Sequence, residues 1–306
     1  MSSLRIATRR SELALWQAHY VQDALATAHP DLATDLLPMT TQGDEMLSQS
    51  LAEIGGKGLF LKELEVALVE ERAQIAVHSM KDVPADLPDG MTICAVLERA
   101  DPRDAFVSLK HERFADLPEA ARLGTSSLRR RVQLLAKRPD LQIGTLRGNL
   151  QTRLSKLESE QWDAIVLAVA GLERLGLGAR ITDAFDIETS LPAIGQGAVG
   201  IECREADARV IELMATINHV PTATCVAAER ALNMALEGNC HSPIAGFATL
   251  ADDGELTLRG RVGALDGSRL LEASASSRGD PKALGHEVAE ALLAQGAAKL
   301  VAAPSA

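Results

Sequence analysis

The sequence predicts an α/β protein with mixed, mostly parallel sheets and a small α+β domain at its C-terminal end. Strand and helix patterns alternate along the first two thirds of the chain, as they do where helices join parallel strands. Hydrophobic residues make up 46% of the chain but aromatic residues only 3%, which is typical of aliphatic cores between helices and a sheet. The last third differs, because two helical segments precede short strands around the turns Asp252-Asp253-Gly254 and Asp266-Gly267.

The first hundred residues carry a β-α-β-α-β pattern. Strands are predicted at residues 4–8, 34–39 and 74–79. Ser11 is suited to cap the helix that follows the first strand, and residues 59–71 have the apolar spacing of a second helix. Residues 43–58 are predicted to form a glycine- and polar-rich loop. This order of elements predicts a mostly parallel sheet covered by helices.

The next hundred residues repeat the pattern. Strands are predicted at residues 104–109, 121–124, 141–146 and 164–169, and helices at 127–137 and 150–160. A strand at residues 198–203 is expected to return to the first sheet. We therefore expect domain 1 at residues 1–98 and 198–217, domain 2 at 103–193 and domain 3 at 220–306. Further helices are predicted at residues 208–217, 222–236 and 281–300.

The distribution of charge points to a local anion site. The chain carries 42 acidic and 31 basic residues, a formal net charge of −11, which disfavours binding to nucleic acid or to an anionic membrane. Residues 122–156 nevertheless contain nine basic residues and one acidic residue, Asp140. The four cysteines lie far apart, and the sequence has no signal-peptide pattern and no apolar run that would span a bilayer. We therefore expect a cytoplasmic protein.

Three motif-like stretches do not support a nucleotide or metal site. Residues 195–200 fit GxGxxG, but they precede a predicted strand instead of following one. Residues 55–58 lack the upstream glycine and the Ser/Thr of a P-loop. His286-Glu287 begins an HExxH pattern, but Glu290 stands where the second histidine belongs. No metal ion is predicted.

Basic residues recur at three predicted strand-to-helix turns. These are Arg9-Arg10-Ser11, the segment Gly124-Thr125-Ser126-Ser127-Leu128-Arg129-Arg130, and Arg147-Gly148-Asn149 with Arg153 one helical turn later. Helix N-termini and arginines both bind carboxylates, and ligands of open α/β sheets bind at the carboxyl ends of strands. We therefore predict that a small, carboxylate-rich molecule binds in an arginine-lined cleft between two α/β domains. The alternative is that these arginines line a solvated helix face.

Two further residues are suited to chemistry. Asp82 follows Lys81 at the end of the third predicted strand, where a carboxylate could stabilise a developing cation. The alternative is an ordinary turn aspartate held by Pro84. Cys240 lies in the predicted turn 237–243 and is therefore more available for reaction than a buried cysteine. The other cysteines, Cys94, Cys203 and Cys225, are predicted to be inert core residues.

Five ordered motifs resemble the signature segments of the porphobilinogen deaminase family, also called hydroxymethylbilane synthase. They are residues 75–84 (IAVHSMKDVP), 124–130 (GTSSLRR), 146–149 (LRGN), 191–197 (LPAIGQG) and 237–240 (EGNC). The resemblance covers nearly the whole chain. It implies two lobes like those of periplasmic binding proteins plus a third, smaller domain. It also implies a transferase of tetrapyrrole and haem biosynthesis that condenses four porphobilinogen molecules with loss of ammonia, after which water releases hydroxymethylbilane.

The resemblance further implies the cofactor and the site residues. A dipyrromethane would be attached through a thioether to Cys240, and Asp82 would be the catalytic residue that stabilises cationic intermediates. The cofactor would also be bound by Lys81, Ser127, Arg129, Arg130 and Arg153. The substrate would be bound by Arg9, Ser11, Lys57, Phe60, Arg147, Arg174 and Gln196. We expect a monomer that acts on the small molecule porphobilinogen and needs neither nucleic acid nor a membrane.

The sequence departs from the family pattern at two positions and leaves two alternative functions open. Glu53 stands where the family commonly has lysine, and Asn239 where it usually has glycine, although asparagine tolerates a left-handed backbone. A non-catalytic, two-lobed anion-binding module would explain the arginine turns but gives no role to Asp82 or Cys240. A phosphoribosyl-type transferase would need an acidic metal or diphosphate motif, and the sequence has none.

Overall fold

The structure is a computed structural model that describes residues 3–41, 61–239 and 242–302. Several sequence predictions concern positions outside these described residues. They are the loop at residues 43–58, the departure at Glu53, the substrate contacts of Lys57 and Phe60, and the cofactor attachment at Cys240.

The strands in chain order are β1 (Ser3–Arg9), β2 (Ala33–Met39), β3 (Ile75–Ser79), β4 (Met91–Val96), β5 (Asp104–Val107), β6 (Arg122–Gly124), β7 (Gln142–Gly144), β8 (Ala164–Ala168), β9 (Asp183–Ala184), β10 (Val199–Arg204), β11 (Ile244–Leu250), β12 (Leu256–Gly263) and β13 (Leu270–Ser277). The helices are α1 (Glu12–Ala28), α2 (Lys62–Val69), α3 (Leu128–Lys137), α4 (Leu150–Ser159), α5 (Val169–Arg174), α6 (Ala208–Ala215), α7 (Val220–Ala235), α8 (Pro281–Ala294) and α9 (Ala297–Val301).

The chain divides into two compact units, and the first comprises Met1–Ala100 and Ala198–Ala223. Its five-stranded sheet has the order β2-β1-β3-β10-β4. The pairs β1–β2 and β1–β3 are parallel, whereas β10 pairs antiparallel with both β3 and β4. One face of this sheet buries residues such as Ile6, Val77 and Ile201 together with Val21 of α1 and Met214 of α6. The strand predicted at residues 198–203 therefore does pair with the first sheet.

The second unit comprises Asp101–Gly197 and Thr224–Ala306 and contains two sheets. The first has the order β7-β6-β8-β5-β9, again with two parallel pairs followed by two antiparallel pairs. The second is the antiparallel sheet β11-β12-β13, whose core includes residues of α7 and α8 such as Leu232 and Val288. These three sheets confirm the predicted fold class. The division into three domains stays a prediction, because the C-terminal segment is grouped with residues 101–197.

Some elements differ from the sequence predictions. The strand β9 was not predicted, since it is only two residues long and pairs with β5, which is distant in sequence. The closing helix is two helices, α8 and α9, because Gly296 between them has φ +99°, which ends a right-handed helix. Within the described residues, no helix is long and apolar enough to cross a membrane, and no group of three or more side chains is arranged to hold a metal ion.

Candidate active site

Three predicted site residues meet in the first unit. The parallel strands β1 and β3 are neighbours, so their carboxyl ends lie at the same edge of the sheet. Arg9 ends β1, Ser11 follows it, and Asp82 lies in a short 3-10 turn directly after β3. All three line one pocket with a volume of about 60 Å³, which we call the Asp82 pocket. The structure thus brings together a cation, a hydroxyl and a carboxylate at the edge where the sequence predicted a ligand.

Local hydrogen bonds fix the walls of the Asp82 pocket. Ser11 caps α1 as predicted, because its Oγ accepts a hydrogen bond from the backbone N–H of Ala14 at 3.3 Å. The buried Thr8 donates from Oγ1 to the carbonyl oxygen of Ala14 at 3.1 Å. These two contacts join the end of β1 to the first turn of α1 and set the direction in which the chain leaves the sheet.

Three polar residues of the Asp82 pocket were not predicted to be site residues, and one of them, His78, pairs with the buried Glu202 at 2.8 Å. Gln17 and Ser79 also line the pocket, and Gln17 Nε2 donates to Ser79 Oγ at 2.7 Å. Gln17 is buried on the core-facing side of α1. A polar residue at an apolar position of the helical pattern could therefore have indicated from the sequence that Gln17 belongs to a site. Lys81 precedes Asp82 in the same turn and is half-buried, but it is not among the residues that line this pocket.

In the second unit, three predicted site residues converge on one buried carboxylate, that of Asp104 at the start of β5. Arg129 donates from Nη1 to Oδ2 at 2.7 Å and from Nη2 to Oδ1 at 3.0 Å. Arg130 donates to Oδ1 from Nε at 2.9 Å and from Nη2 at 2.7 Å. Gln196 Nε2 and Ser190 Oγ donate at 3.0 Å and 2.7 Å. We call these five residues the Asp104 hub.

The Asp104 hub is buried and carries excess positive charge. Asp104 is 0% exposed, Arg129 4%, Arg130 5% and Gln196 1%. Burial by itself raises the pKa of Asp104, but the charges of Arg129 and Arg130 and their hydrogen bonds outweigh it and hold the pKa below its usual range. Burial, followed by the neighbouring Arg129, lowers the pKa of the Arg130 guanidinium. Two guanidinium groups against one carboxylate leave one positive charge in excess.

The helix N-termini beside the hub are capped by side chains. Ser127 Oγ accepts from the N–H of Arg130 at 3.4 Å at the start of α3. Asn149 Oδ1 accepts from the N–H of Thr152 at 2.8 Å at the start of α4, and Arg153 Nε donates to the carbonyl oxygen of Gly148 at 2.8 Å. Arg147, on the strand side of the same turn, is half-buried. The parallel strands β6 and β7 end before these turns, so the turns share one edge of the sheet.

Arg174 ends α5 and reaches the segment that carries Gln196. Its Nη2 donates to the carbonyl oxygen of Gly197 at 2.7 Å, and Gln196 Nε2 also donates to the carbonyl oxygen of Pro102 at 2.6 Å. By contrast, Arg131 and Arg138 bind partners outside the hub. Arg131 Nε donates to the carbonyl oxygen of Leu265, and Arg138 forms an ion pair with Asp140.

The residues on both sides of the predicted cofactor cysteine are held by hydrogen bonds. Asn239 donates its N–H to Ser242 Oγ at 3.0 Å, and Ser242 donates its N–H to the carbonyl oxygen of Asn239 at 3.0 Å. Glu237, just after α7, has a φ of 53°, a left-handed conformation that ends the helix. Among the other cysteines, Cys203 and Cys225 are buried and Cys94 is half-buried, in agreement with the prediction that they are core residues.

Several solved structures are similar to this chain at low sequence identity. The structure is similar to a solved methionine binding protein, MetQ, with 14% identity over 76% of this chain and 94% of that chain, and a TM-score of 0.46. It is also similar to the periplasmic aliphatic sulphonate binding protein SsuA from Escherichia coli, with 12% identity over 78% of this chain and 71% of that chain, and a TM-score of 0.41.

Two family models match the sequence itself. The model of the porphobilinogen deaminase dipyrromethane cofactor binding domain matches residues 4–212, and the model of the porphobilinogen deaminase C-terminal domain matches residues 223–294. Together these matches cover nearly all of the chain and include the Asp82 pocket, the Asp104 hub and the turn after α7. The chain therefore belongs to the porphobilinogen deaminase family.

Proposed function

We propose that this chain condenses four porphobilinogen molecules, one after another and with loss of ammonia, onto a dipyrromethane held by a thioether to Cys240. Hydrolysis then releases hydroxymethylbilane. The family match supports a transferase with this cofactor and a small-molecule substrate. The observation that carries the proposal is the Asp82 pocket, because a carboxylate, an arginine and a hydroxyl at one pocket match the charges of this reaction.

The Asp82 pocket offers a negative group to the cation that forms during the reaction, and hydrogen-bond donors to the carboxylates of the substrate. Loss of ammonia from porphobilinogen leaves a positively charged pyrrole, and the carboxylate of Asp82 can stabilise that charge as it forms. Porphobilinogen also carries an acetate and a propionate, which need donors. Arg9 and the Ser11 hydroxyl, which line the same pocket, are suited to bind them. Asp82 is therefore the proposed catalytic residue, and Arg9 and Ser11 are proposed substrate contacts.

The second unit is suited to hold a ligand with many carboxylates. Its hub carries excess positive charge, and among the described residues Arg129 Nε and Gln196 Oε1 are buried without a hydrogen-bond partner. An anionic group beside the hub would lower the free energy of this buried cation. We therefore propose that Ser127, Arg129, Arg130 and Arg153 bind the dipyrromethane carboxylates, and the family motif adds Lys81 of the first unit. When bound, the dipyrromethane supplies the nucleophilic pyrrole carbon for the first addition.

The remaining substrate contacts rest on the family motifs together with their positions in the fold. Arg147, Arg174 and Gln196 belong to the second unit; Arg147 lies in the turn before α4, and Arg174 donates to the carbonyl oxygen of Gly197, next to Gln196. Lys57 and Phe60 lie outside the described residues, so their proposed substrate contacts rest on the resemblance alone. We also propose that the protein acts as a monomer in the cytoplasm, where cysteine thiols such as Cys203 and Cys225 stay reduced.

The proposal is tested most directly by the mass of the intact protein. The wild-type chain should be heavier than its sequence mass by one dipyrromethane, and thiol reductants should not remove the adduct, because a thioether does not exchange with thiols. Added porphobilinogen should produce a ladder of heavier species, each one pyrrole unit apart, together with released ammonia.

Matched cysteine variants locate the attachment point. Cys240→Ser should have the bare sequence mass and no activity, whereas Cys225→Ser, which changes a buried core cysteine, should keep the adduct. An active wild-type protein at its unmodified mass would overturn the proposed attachment. Binding of porphobilinogen without release of ammonia would instead favour a non-catalytic anion-binding module.

A further inference from the structure

The contacts of Asp104 go beyond those of an ordinary ion pair. Its two carboxylate oxygens accept six hydrogen bonds from four side chains, and five of the six come from Arg129, Arg130 and Gln196. Each of these three residues also donates to a backbone carbonyl, of Leu191, Val166 and Pro102 respectively. Their positions are therefore set by contacts inside the protein and do not depend on a ligand.

The hub also anchors the segment of residues 190–197, which contains Ser190 and Gln196. Leu191 near its start is held by α3: Leu191 N–H donates to Gln133 Oε1 at 2.9 Å, and its carbonyl oxygen accepts from Gln133 Nε2 at 3.1 Å. Gly195 N–H donates to Glu229 Oε2 of α7 at 2.7 Å. The segment thus joins the arginines of α3 to the helix that leads into the turn before β11.

A second contact ties the same segment to the C-terminal sheet. Gly246 N–H of β11 donates to the carbonyl oxygen of Pro192 at 3.1 Å, and Ala248 N–H donates to Glu229 Oε1 at 2.9 Å. The two segments are in close contact, since a Cβ on Gly246 would lie 2.3 Å from Ile194 Cδ1. Residues 190–197 therefore lie between α3 and β11 and are hydrogen-bonded to both.

We propose that Asp104 is a positioning residue for the cofactor site. It orients Arg129, Arg130 and Gln196, and through residues 190–197 it fixes the C-terminal sheet relative to these arginines, while it neutralises only one of their two positive charges. This inference rests on the proposed function, because it assigns the oriented cation to the carboxylates of the dipyrromethane. The carboxylate of Asp104 does not itself contact substrate, so its effect is transmitted by the arginines.

The test compares Asp104→Asn with Asp140→Asn in the full chain. Asp140 is a matched control, because it also accepts two hydrogen bonds from one arginine, Arg138 Nε and Nη2 at 2.7 Å each, but it lies half-exposed at the surface. The first measurement is hydrogen exchange of the arginine Nε–H groups by NMR. In wild type the Nε–H of Arg130 should exchange slowly, since it is buried and donates to Asp104. The second is the fraction of chains that carry dipyrromethane, from intact mass.

The expected result distinguishes a role of Asp104 in positioning the arginines from a role in stabilising the fold alone. Asp104→Asn should keep the native circular dichroism but speed exchange at Arg130 by about tenfold or more, because a buried charge loses its partner, and it should lower the loaded fraction. Asp140→Asn should leave both quantities as in wild type. Wild-type exchange and loading in folded Asp104→Asn would overturn the inference.

Two further comparisons keep the test decisive. If Asp104→Asn does not fold, Ser190→Ala takes its place, since it removes one neutral hydrogen bond to Asp104. It should still speed exchange at Arg130, and unchanged exchange would overturn the inference. If wild type carries no adduct and releases no ammonia, the proposed function fails, while the exchange measurement still decides whether Asp104 orients the arginines.

Discussion

The first prediction concerns Gly148, in the turn of residues 147–149 before α4. A methyl group added there tests whether crowding within this turn costs more stability than ordinary backbone strain does. The φ of Gly148 is +119°, and a Cβ there would lie 2.6 Å from Thr152 Cγ2 and 2.7 Å from Thr152 Cβ. Thr152 cannot easily move away, because its N–H and hydroxyl both donate to Asn149 Oδ1, at 2.8 Å and 2.9 Å. Gly148→Ala should therefore strain the backbone and disturb the cap of α4.

The magnitude follows from these two effects. A non-glycine residue in such a conformation costs ~1–3 kcal/mol, and loss of an N-cap costs ~1 kcal/mol, so Gly148→Ala should lower the free energy of unfolding by ~2–4 kcal/mol. Gly176→Ala is the control: its φ is +68°, and nothing lies within 4 Å of an added Cβ. That variant should cost only ~1 kcal/mol, the ordinary penalty of a left-handed residue.

Urea unfolding followed by circular dichroism measures both variants. Activity provides a second measurement, because the carbonyl oxygen of Gly148 accepts from Arg153 Nε. Gly148→Ala should therefore also slow turnover, whereas Gly176→Ala should not. Equal losses of stability in the two variants would refute the steric part of the reasoning. A stability loss without any change in turnover would refute the role of this turn in orienting Arg153.

Three other predictions concern charge. Asp82→Asn should keep the adduct seen by intact mass but slow turnover by ~10²–10³, the usual loss for a preorganised electrostatic contact, and turnover within a few-fold of wild type would exclude the assigned role. Arg147→Lys should slow single-turnover addition, because lysine lacks the planar fork, whereas Arg138→Ala should not, since Arg138 binds Asp140; equal effects would refute the distinction. Acid should weaken the wild type more than Asp104→Asn. The pKa of Asp104 is lowered in the folded state, so its stabilisation is present above the unfolded pKa of ~3.9 and declines by up to ~1.4 kcal/mol per pH unit below it. Parallel stability curves of the two proteins below pH ~4 would contradict this.

The parts of the structure that the sequence predicted best depend on local signals. Ser11 was predicted to cap α1 because it follows a strand and precedes an apolar helical pattern, and its Oγ does accept from the backbone of Ala14. The edge that carries Arg9 and Asp82 was predicted from strand order alone, since parallel strands end on the same side. Such predictions succeed because a cap and a strand end are set by a few neighbouring residues.

The Asp104 hub was missed because it is not local. Asp104 was assigned only to the first position of a strand, and it lies 25 residues before Arg129 and 92 before Gln196. Without that partner, the two arginines were interpreted as donors aimed outward at a ligand. An acidic residue at the start of a fully buried strand was the available signal, since a carboxylate there must find positive charge or hydrogen-bond donors.

The two units use charge in different ways, and burial explains why. In the first unit, Asp82 is exposed to solvent, so water can screen its charge when no cation lies beside it; in the proposed function, that cation forms on the substrate and disappears again at each addition. In the second unit, the excess positive charge of Arg129 and Arg130 is buried and cannot be screened by water. A buried, uncompensated charge raises the free energy of the protein unless an anion stays beside it. Such a site suits a permanently attached polycarboxylate better than a substrate that leaves after each cycle. In the proposed function, the attached dipyrromethane supplies the anion that balances this charge, and the hydrogen bonds to Asp104 keep the two arginines in position for it.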